Sequence, residues 1–277
     1  MKFSRKLIKQ TCLTMMSCLF LICQVFADSP EAVNEGAVSK EKVKLNIAVA
    51  ANFTPVLEVI VQQYSSQVSV EIAIVTGSTG KLYTQITHGA PFDVFLAADQ
   101  QHPRLLVDNK LAVKDSQVTY AEGAIVLWSM AWQGKQAKVH LQAGDFQRLA
   151  IANPKIAPYG VAARQAMQAL GVQLEAEQKL LEGTNIAQAF HFVRFGNADL
   201  GFVSLSQIKQ YERMEKREAS YWLVPQQYFE PIKQDLVLLQ HATTSTVRQR
   251  AAEEFLAYLK GEEAKQLIRT FGYTVQD

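Results

Sequence analysis

Past residue 23 the chain has no cysteine, because Cys12, Cys18 and Cys23 all lie near its start. Disulfides, thiolate nucleophiles and cysteine-held metals are thereby excluded from everything downstream. The motifs of familiar catalytic chemistry are missing as well: no G-x-S-x-G turn, no H-E-x-x-H and no C-x-x-C. The five histidines (His88, His102, His140, His191 and His241) lack the spacing of metal ligands, and His191, on a mainly apolar helical pattern, reads as a packed or surface residue. Asp93, Asp99 and Asp199 are the best-placed carboxylates, but beside strand patterns they suit turns and caps better than acid–base work. Excess charge is absent too. Residues 1–27 carry four of the 28 Lys+Arg and none of the 26 Asp+Glu, which leaves a formal charge of −2 for the rest. Nothing in that balance points to nucleic acid.

The basic stretch "MKFSRKLIKQ" precedes a short apolar core, "TCLTMMSCLFLICQVF", and small residues Val25 and Ala27 stand where a signal peptidase reads. Residues 1–27 therefore read as a cleavable secretory signal peptide. The apolar run is shorter than the ~20 residues that a membrane anchor needs, and Ile22 is too bulky to precede a lipoprotein cysteine at Cys23. Residues 28–42, polar and without periodicity, read as a disordered leader.

From Val43 onward, β-rich runs alternate with helical ones. "VKLNIAVA", "VSVEIAIV", "FDVFLAA", "GAIVLWS", "RLAIANP", "ADLGFVS", "YWLVP" and "QDLVLLQ" read as strands. Helical patterns lie between them, and two amphipathic helices broken at Gly261 close the chain. The mixed-charge run "KQYERMEKRE" reads as a solvated helix face. Such alternation predicts an α/β protein with parallel sheets wrapped by helices. For some 250 residues, two lobes with a sheet each fit better than one barrel. The expected boundaries are 43–122 plus 235–277 for lobe 1 and 123–234 for lobe 2, with crossing strands near "AIVLWS" and "DLVLLQ" as the hinge.

Four places combine a strand or loop with a helix start. "VTGSTGKLYTQI" has the look of a phosphate-binding loop, but Lys81 is followed by leucine and Val75 stands where the first glycine should be, so the ATPase motif fails. What remains is a small-residue turn that delivers Ser78 and Thr79 to a helix N-terminus. There, unpaired N–H groups and the helix dipole favour an anion; the plainer alternative is that either hydroxyl caps its own helix. The others are Asn52 in "AANFTPVLEVI", where Thr54 could cap and Pro55 start the helix, Tyr159 in "NPKIAPYGVAA", and Asn185-Ile186 in "GTNIAQAF". Together they suggest an anion site at the carboxyl ends of strands.

These stretches, with "GAPFDVFLAADQ" and "ADLGFVSLSQI" in the same order, resemble the periplasmic molybdate-binding proteins of ABC importers from about Val43 to the C-terminus. The resemblance implies a two-lobed periplasmic binding protein fold (type II) with the ligand cleft between lobes. The implied ligand is molybdate or tungstate, without any cofactor and with the molybdenum bound only as oxyanion, free of direct protein–metal ligands. It implies a monomer in the periplasm that serves an inner-membrane permease, and no enzymatic activity. Carried over residue by residue, the hydroxyl ligand falls on Thr79 with Ser78 beside it, and the first-loop ligand on Asn52 with Ala51. The backbone N–H ligands fall on Tyr159 and Ile186. Some members carry a tyrosine where this chain has Ser204, so that contact is expected to be lost or replaced. An oxyanion that only accepts hydrogen bonds suits this set, with the Asn52 amide and the two hydroxyls as donors and Lys81 pointing away along its helix. The alternatives are a receptor for another oxyanion such as sulfate, or a secreted α/β hydrolase that uses the loops as an oxyanion hole.

Overall fold

The computed structural model describes residues 42–172 and 178–276. The expected signal peptide and nearly all of the leader lie outside the described residues. Among the described residues the fold is built on two five-stranded sheets. In the first, β1 (Val43–Ala50) lies between β2 (Val70–Gly77) and β3 (Val94–Leu96), parallel to both. β10 (Ile232–Leu238) runs antiparallel between β3 and β4 (Val118–Gly123). The second repeats the plan: β6 (Leu149–Ala152) is parallel to β7 (Leu180–Gly183) and β8 (Leu200–Ser204), while β5 (Ile125–Trp128) is antiparallel to β8 and β9 (Tyr221–Leu223).

The buried central strands read as nearly unbroken apolar runs, as strands covered on both faces do. Helices α1 (Thr54–Gln67), α2 (Thr79–Thr87), α3 (Gln101–Asp108), α8 (Thr246–Leu259) and α9 (Glu262–Thr270) accompany the first sheet. Its core joins Leu45 and Ile47 of β1 to Phe255 of α8 and Ile268 of α9. Helices α4 (Lys135–Ala143), α5 (Pro158–Ala169), α6 (Ile186–Arg194) and α7 (Leu205–Glu215) accompany the second, where Trp128 stacks on Phe190 at 4.9 Å. The chain leaves the first sheet at Gly123 and re-enters it at Ile232, opposite that glycine and three residues ahead of Asp235. β10 exposes Lys233 and is otherwise apolar except where it buries Gln234 and Asp235. Asp235 accepts hydrogen bonds from Thr119 and Gln117, both at 2.6 Å, and from Gln100 at 3.1 Å, which offsets the cost of burying a carboxylate.

Candidate functional site

The loops at the carboxyl ends of β1, β2, β6 and β7 meet around one small cavity, lined by Ala50, Ala51, Asn52, Gly77, Ser78, Thr79, Ala98, Ala157, Pro158, Tyr159, Asn185 and Ile186. The cavity is small: about 10 Å³ of it is open to the centre of a water-sized sphere, which leaves room for a compact occupant of a few atoms. All six candidate residues, Ala51, Asn52, Ser78, Thr79, Tyr159 and Ile186, line it, and none of the lining residues is charged. Four helices, α1, α2, α5 and α6, begin here, and the unpaired N–H groups of a helix's first turn carry its positive dipole end. The two sheets' loops are joined beside the cavity, where the Gly80 N–H of α2 donates to the Ile156 carbonyl at 3.0 Å.

Ser78 holds the N-cap position of α2 yet makes no capping hydrogen bond. Its hydroxyl is buried and has no hydrogen-bond partner among the described residues. The plainer reading, a serine that only caps its helix, is therefore not what this geometry shows. Thr79 starts α2, and its oxygen accepts a hydrogen bond from the Ala98 N–H at 3.0 Å. With that lone pair occupied, the Thr79 proton remains free to donate. Tyr159 follows Pro158 in the first turn of α5, and Ile186 follows its cap, Asn185, whose side chain accepts from the Gln188 N–H at 3.0 Å. Among the described residues, neither the Tyr159 nor the Ile186 N–H has a carbonyl partner outside its helix.

The first loop departs from expectation. Phe53, not Thr54, is the N-cap of α1, and the Thr54 hydroxyl meets that of Thr76 at 2.6 Å. The Asn52 carboxamide does not offer its protons to the cavity, for its nitrogen donates to Gln234 Oε1 at 2.8 Å and to Tyr273 Oη at 3.0 Å. The Ala51 N–H is also committed, to the Gly77 carbonyl at 2.9 Å. What this loop presents is the Asn52 N–H, which makes no backbone hydrogen bond among the described residues, and the Ala51 methyl. Ser204 stands away from the cavity and caps α7 in a reciprocal box with Gln207. Lys81 is exposed and does not line the cavity.

The carboxylates singled out from sequence hold structure together. Asp93, fully buried, accepts from the Asn46 N–H at 2.7 Å and pairs with His241 at 3.0 Å. Asp99 accepts from the His102 N–H, and Asp199 from the N–H groups of Gln147 and Arg148. No cluster of three or more His, Cys, Asp or Glu suited to a metal occurs among the described residues.

Behind the cavity lie three buried phenols, Tyr120, Tyr159 and Tyr273. Burial pushes all three above the ordinary tyrosine range, Tyr273 to about 12. They stay neutral at physiological pH. Because the fold holds these protons more tightly than the unfolded chain, which releases them near 10, the stability that Tyr273 contributes is complete below pH 10 and lost as pH rises towards 12, and that of Tyr120 and Tyr159 also falls as pH rises above 10. Unfolding measured across that window should show a fall of roughly 1.4 kcal/mol per pH unit for each proton involved, an effect that Tyr273→Phe reduces.

The chain belongs to the bacterial extracellular solute-binding protein family, whose model matches residues 45–274. Within that family, it is 42% identical to the molybdate-binding protein ModA of Azotobacter vinelandii over 242 residues, 87% of this chain and 93% of that protein. It is also 42% identical to ModA of Rhodobacter capsulatus over 229 residues, 83% of this chain and 87% of that one. Among solved structures, a periplasmic molybdate-binding protein of A. vinelandii superposes with a TM-score of 0.76 at 38% identity, covering 84% of this chain and all of that one.

Proposed function

We propose that this chain is a periplasmic receptor that captures molybdate or tungstate and hands it to an ABC permease in the inner membrane. On this reading residues 1–27 direct export, and the two lobes, 43–122 with 235–277 and 123–234, close on the ion. The protein binds and releases its cargo unchanged and catalyses no reaction. The observation that carries the reading is the convergence of four helix N-termini on a cavity without a charged lining residue, where Ser78 keeps a buried, unpaired hydroxyl. The identity to two molybdate-binding proteins supports the choice of ion.

Molybdate at neutral pH is a tetrahedral dianion that only accepts hydrogen bonds. The donors assigned to it are the Ser78 and Thr79 hydroxyls and the N–H groups of Asn52, Tyr159 and Ile186. Helix dipoles, rather than an opposite charge, offset its own charge. Hydrogen phosphate brings a proton to a cavity with no carboxylate or imidazole to receive it, which costs roughly 1–3 kcal/mol. Sulfate matches the hydrogen-bonding character but is smaller, so size alone separates it.

A thermal-shift screen tests this. A ligand at 100 times its dissociation constant adds about 2.7 kcal/mol, which for a chain of this size raises the melting point by roughly 5–10 °C. Molybdate and tungstate should do so at micromolar concentration and phosphate should not; an unchanged melting point with both would refute the reading. Lys81→Ala should alter affinity by less than roughly threefold, since an exposed charge off the cavity is screened. Titration of that variant showing a larger loss than Thr79→Val would instead favour a phosphate-type loop built around Lys81.

A further inference from the structure

Gln234 is fully buried on β10, next to the point where the chain re-enters the first sheet. Its Oε1 accepts from the Asn52 carboxamide at 2.8 Å and from the Tyr120 hydroxyl at 3.1 Å. Its Nε2 donates to the Tyr159 hydroxyl at 3.2 Å. Asn52 and Tyr159 line the cavity from different sheets' loops, at the starts of α1 and α5; Gln234 does not line it. A single carboxamide thus ties together two of the four helix starts. Asn52 is fastened further, since its carbonyl accepts from Tyr273 at 2.9 Å and from Ser206, at the start of α7, at 2.8 Å.

The chain has made room for this junction. A Cβ on Gly123, the β4 residue opposite Ile232, would lie 2.1 Å from the Tyr159 hydroxyl and 2.6 Å from Gln234 Nε2. Glycine there lets the phenol and the carboxamide meet.

We propose that Gln234 is a positioning residue that fixes the spacing between the Asn52 and Tyr159 N–H groups, and thereby makes the cavity discriminate tetrahedral dianions by size. The proposal rests on the oxyanion reading above. A close-packed, hydrogen-bonded brace resists contraction. Donors set for a large tetrahedron therefore cannot follow a smaller one inward. With the brace cut, the two loops lose their link through Gln234 and are held less tightly, so the larger ion loses its fitted donors and the smaller one is no longer held off.

Calorimetric titration of molybdate and of sulfate into the wild-type chain, Gln234→Met, Tyr159→Phe and the double variant tests this. Tyr159→Phe keeps the backbone N–H that faces the ligand and removes the hydroxyl at the brace's far end, together with its hydrogen bond to Tyr273. Each single variant should narrow the molybdate-to-sulfate affinity ratio by roughly tenfold, the worth of a buried neutral hydrogen bond. The double variant should narrow it no further than either single one, because both cut the same link. Unchanged ratios in variants of a discriminating wild type, or losses that multiply in the double variant, would overturn the role of Gln234 and leave the functional reading intact. If Gln234→Met does not fold, Tyr159→Phe decides alone by the same ratio. A wild-type chain that binds neither ion would refute the oxyanion reading, and this role with it.

Discussion

Ser78→Ala is expected to weaken molybdate binding by ten- to a hundredfold while leaving the unliganded protein at least as stable as before. The two effects separate because the Ser78 hydroxyl is buried without a hydrogen-bond partner among the described residues. Its burial costs the free protein desolvation energy and returns no hydrogen bond, a penalty of roughly 1–3 kcal/mol. Alanine removes that penalty. A dianion in the cavity would supply the missing acceptor through a charge-assisted bond worth roughly 1.5–3 kcal/mol, and alanine forgoes it. Denaturant unfolding and calorimetry on the same sample check both halves. A variant that loses stability but keeps its affinity would show that the serine serves the fold alone.

Thr79→Val should cost a similar ten- to hundredfold in affinity, but with the opposite effect on stability. Valine keeps the shape and deletes the hydroxyl. The Thr79 oxygen, unlike that of Ser78, already has a task, since it accepts the buried Ala98 N–H at 3.0 Å. Removing it strands that N–H, at a cost of roughly 1–3 kcal/mol to the free protein. Adjacent hydroxyls on one loop should therefore match in binding and diverge in melting point. Equal melting points for the two variants would contradict the hydrogen-bond assignment.

How far the sequence revealed this arrangement depended on how local each feature is. The strand-helix alternation and the four helix starts were legible, because apolar periodicity, small-residue turns and Pro55 and Pro158 write those signals into a few consecutive residues. Irregular or lightly buried elements were not. β4, "VTYAEG", alternates irregularly and pairs across a bulge at Gln234/Asp235; α4 buries only Ala137 and Leu141; and β7, "LLEG", buries only Gly183. The candidate residues could be named, but the direction of their hydrogen bonds could not. The Asn52 amide is spent on Gln234 and Tyr273, 182 and 221 residues away, and no local pattern encodes such partners. A signal that could have pointed there is the polar pair Gln234 and Asp235 in the otherwise apolar run "QDLVLLQ"; Gln234 supplies the carboxamide that meets Asn52 and Tyr159.

The most direct test of the central claim is isothermal titration of the dialysed chain with molybdate, tungstate, sulfate and phosphate at matched concentration and neutral pH. The account predicts tight, one-to-one binding of molybdate and tungstate, much weaker binding of sulfate, and none of phosphate. Sulfate binding as tight as molybdate would contradict it.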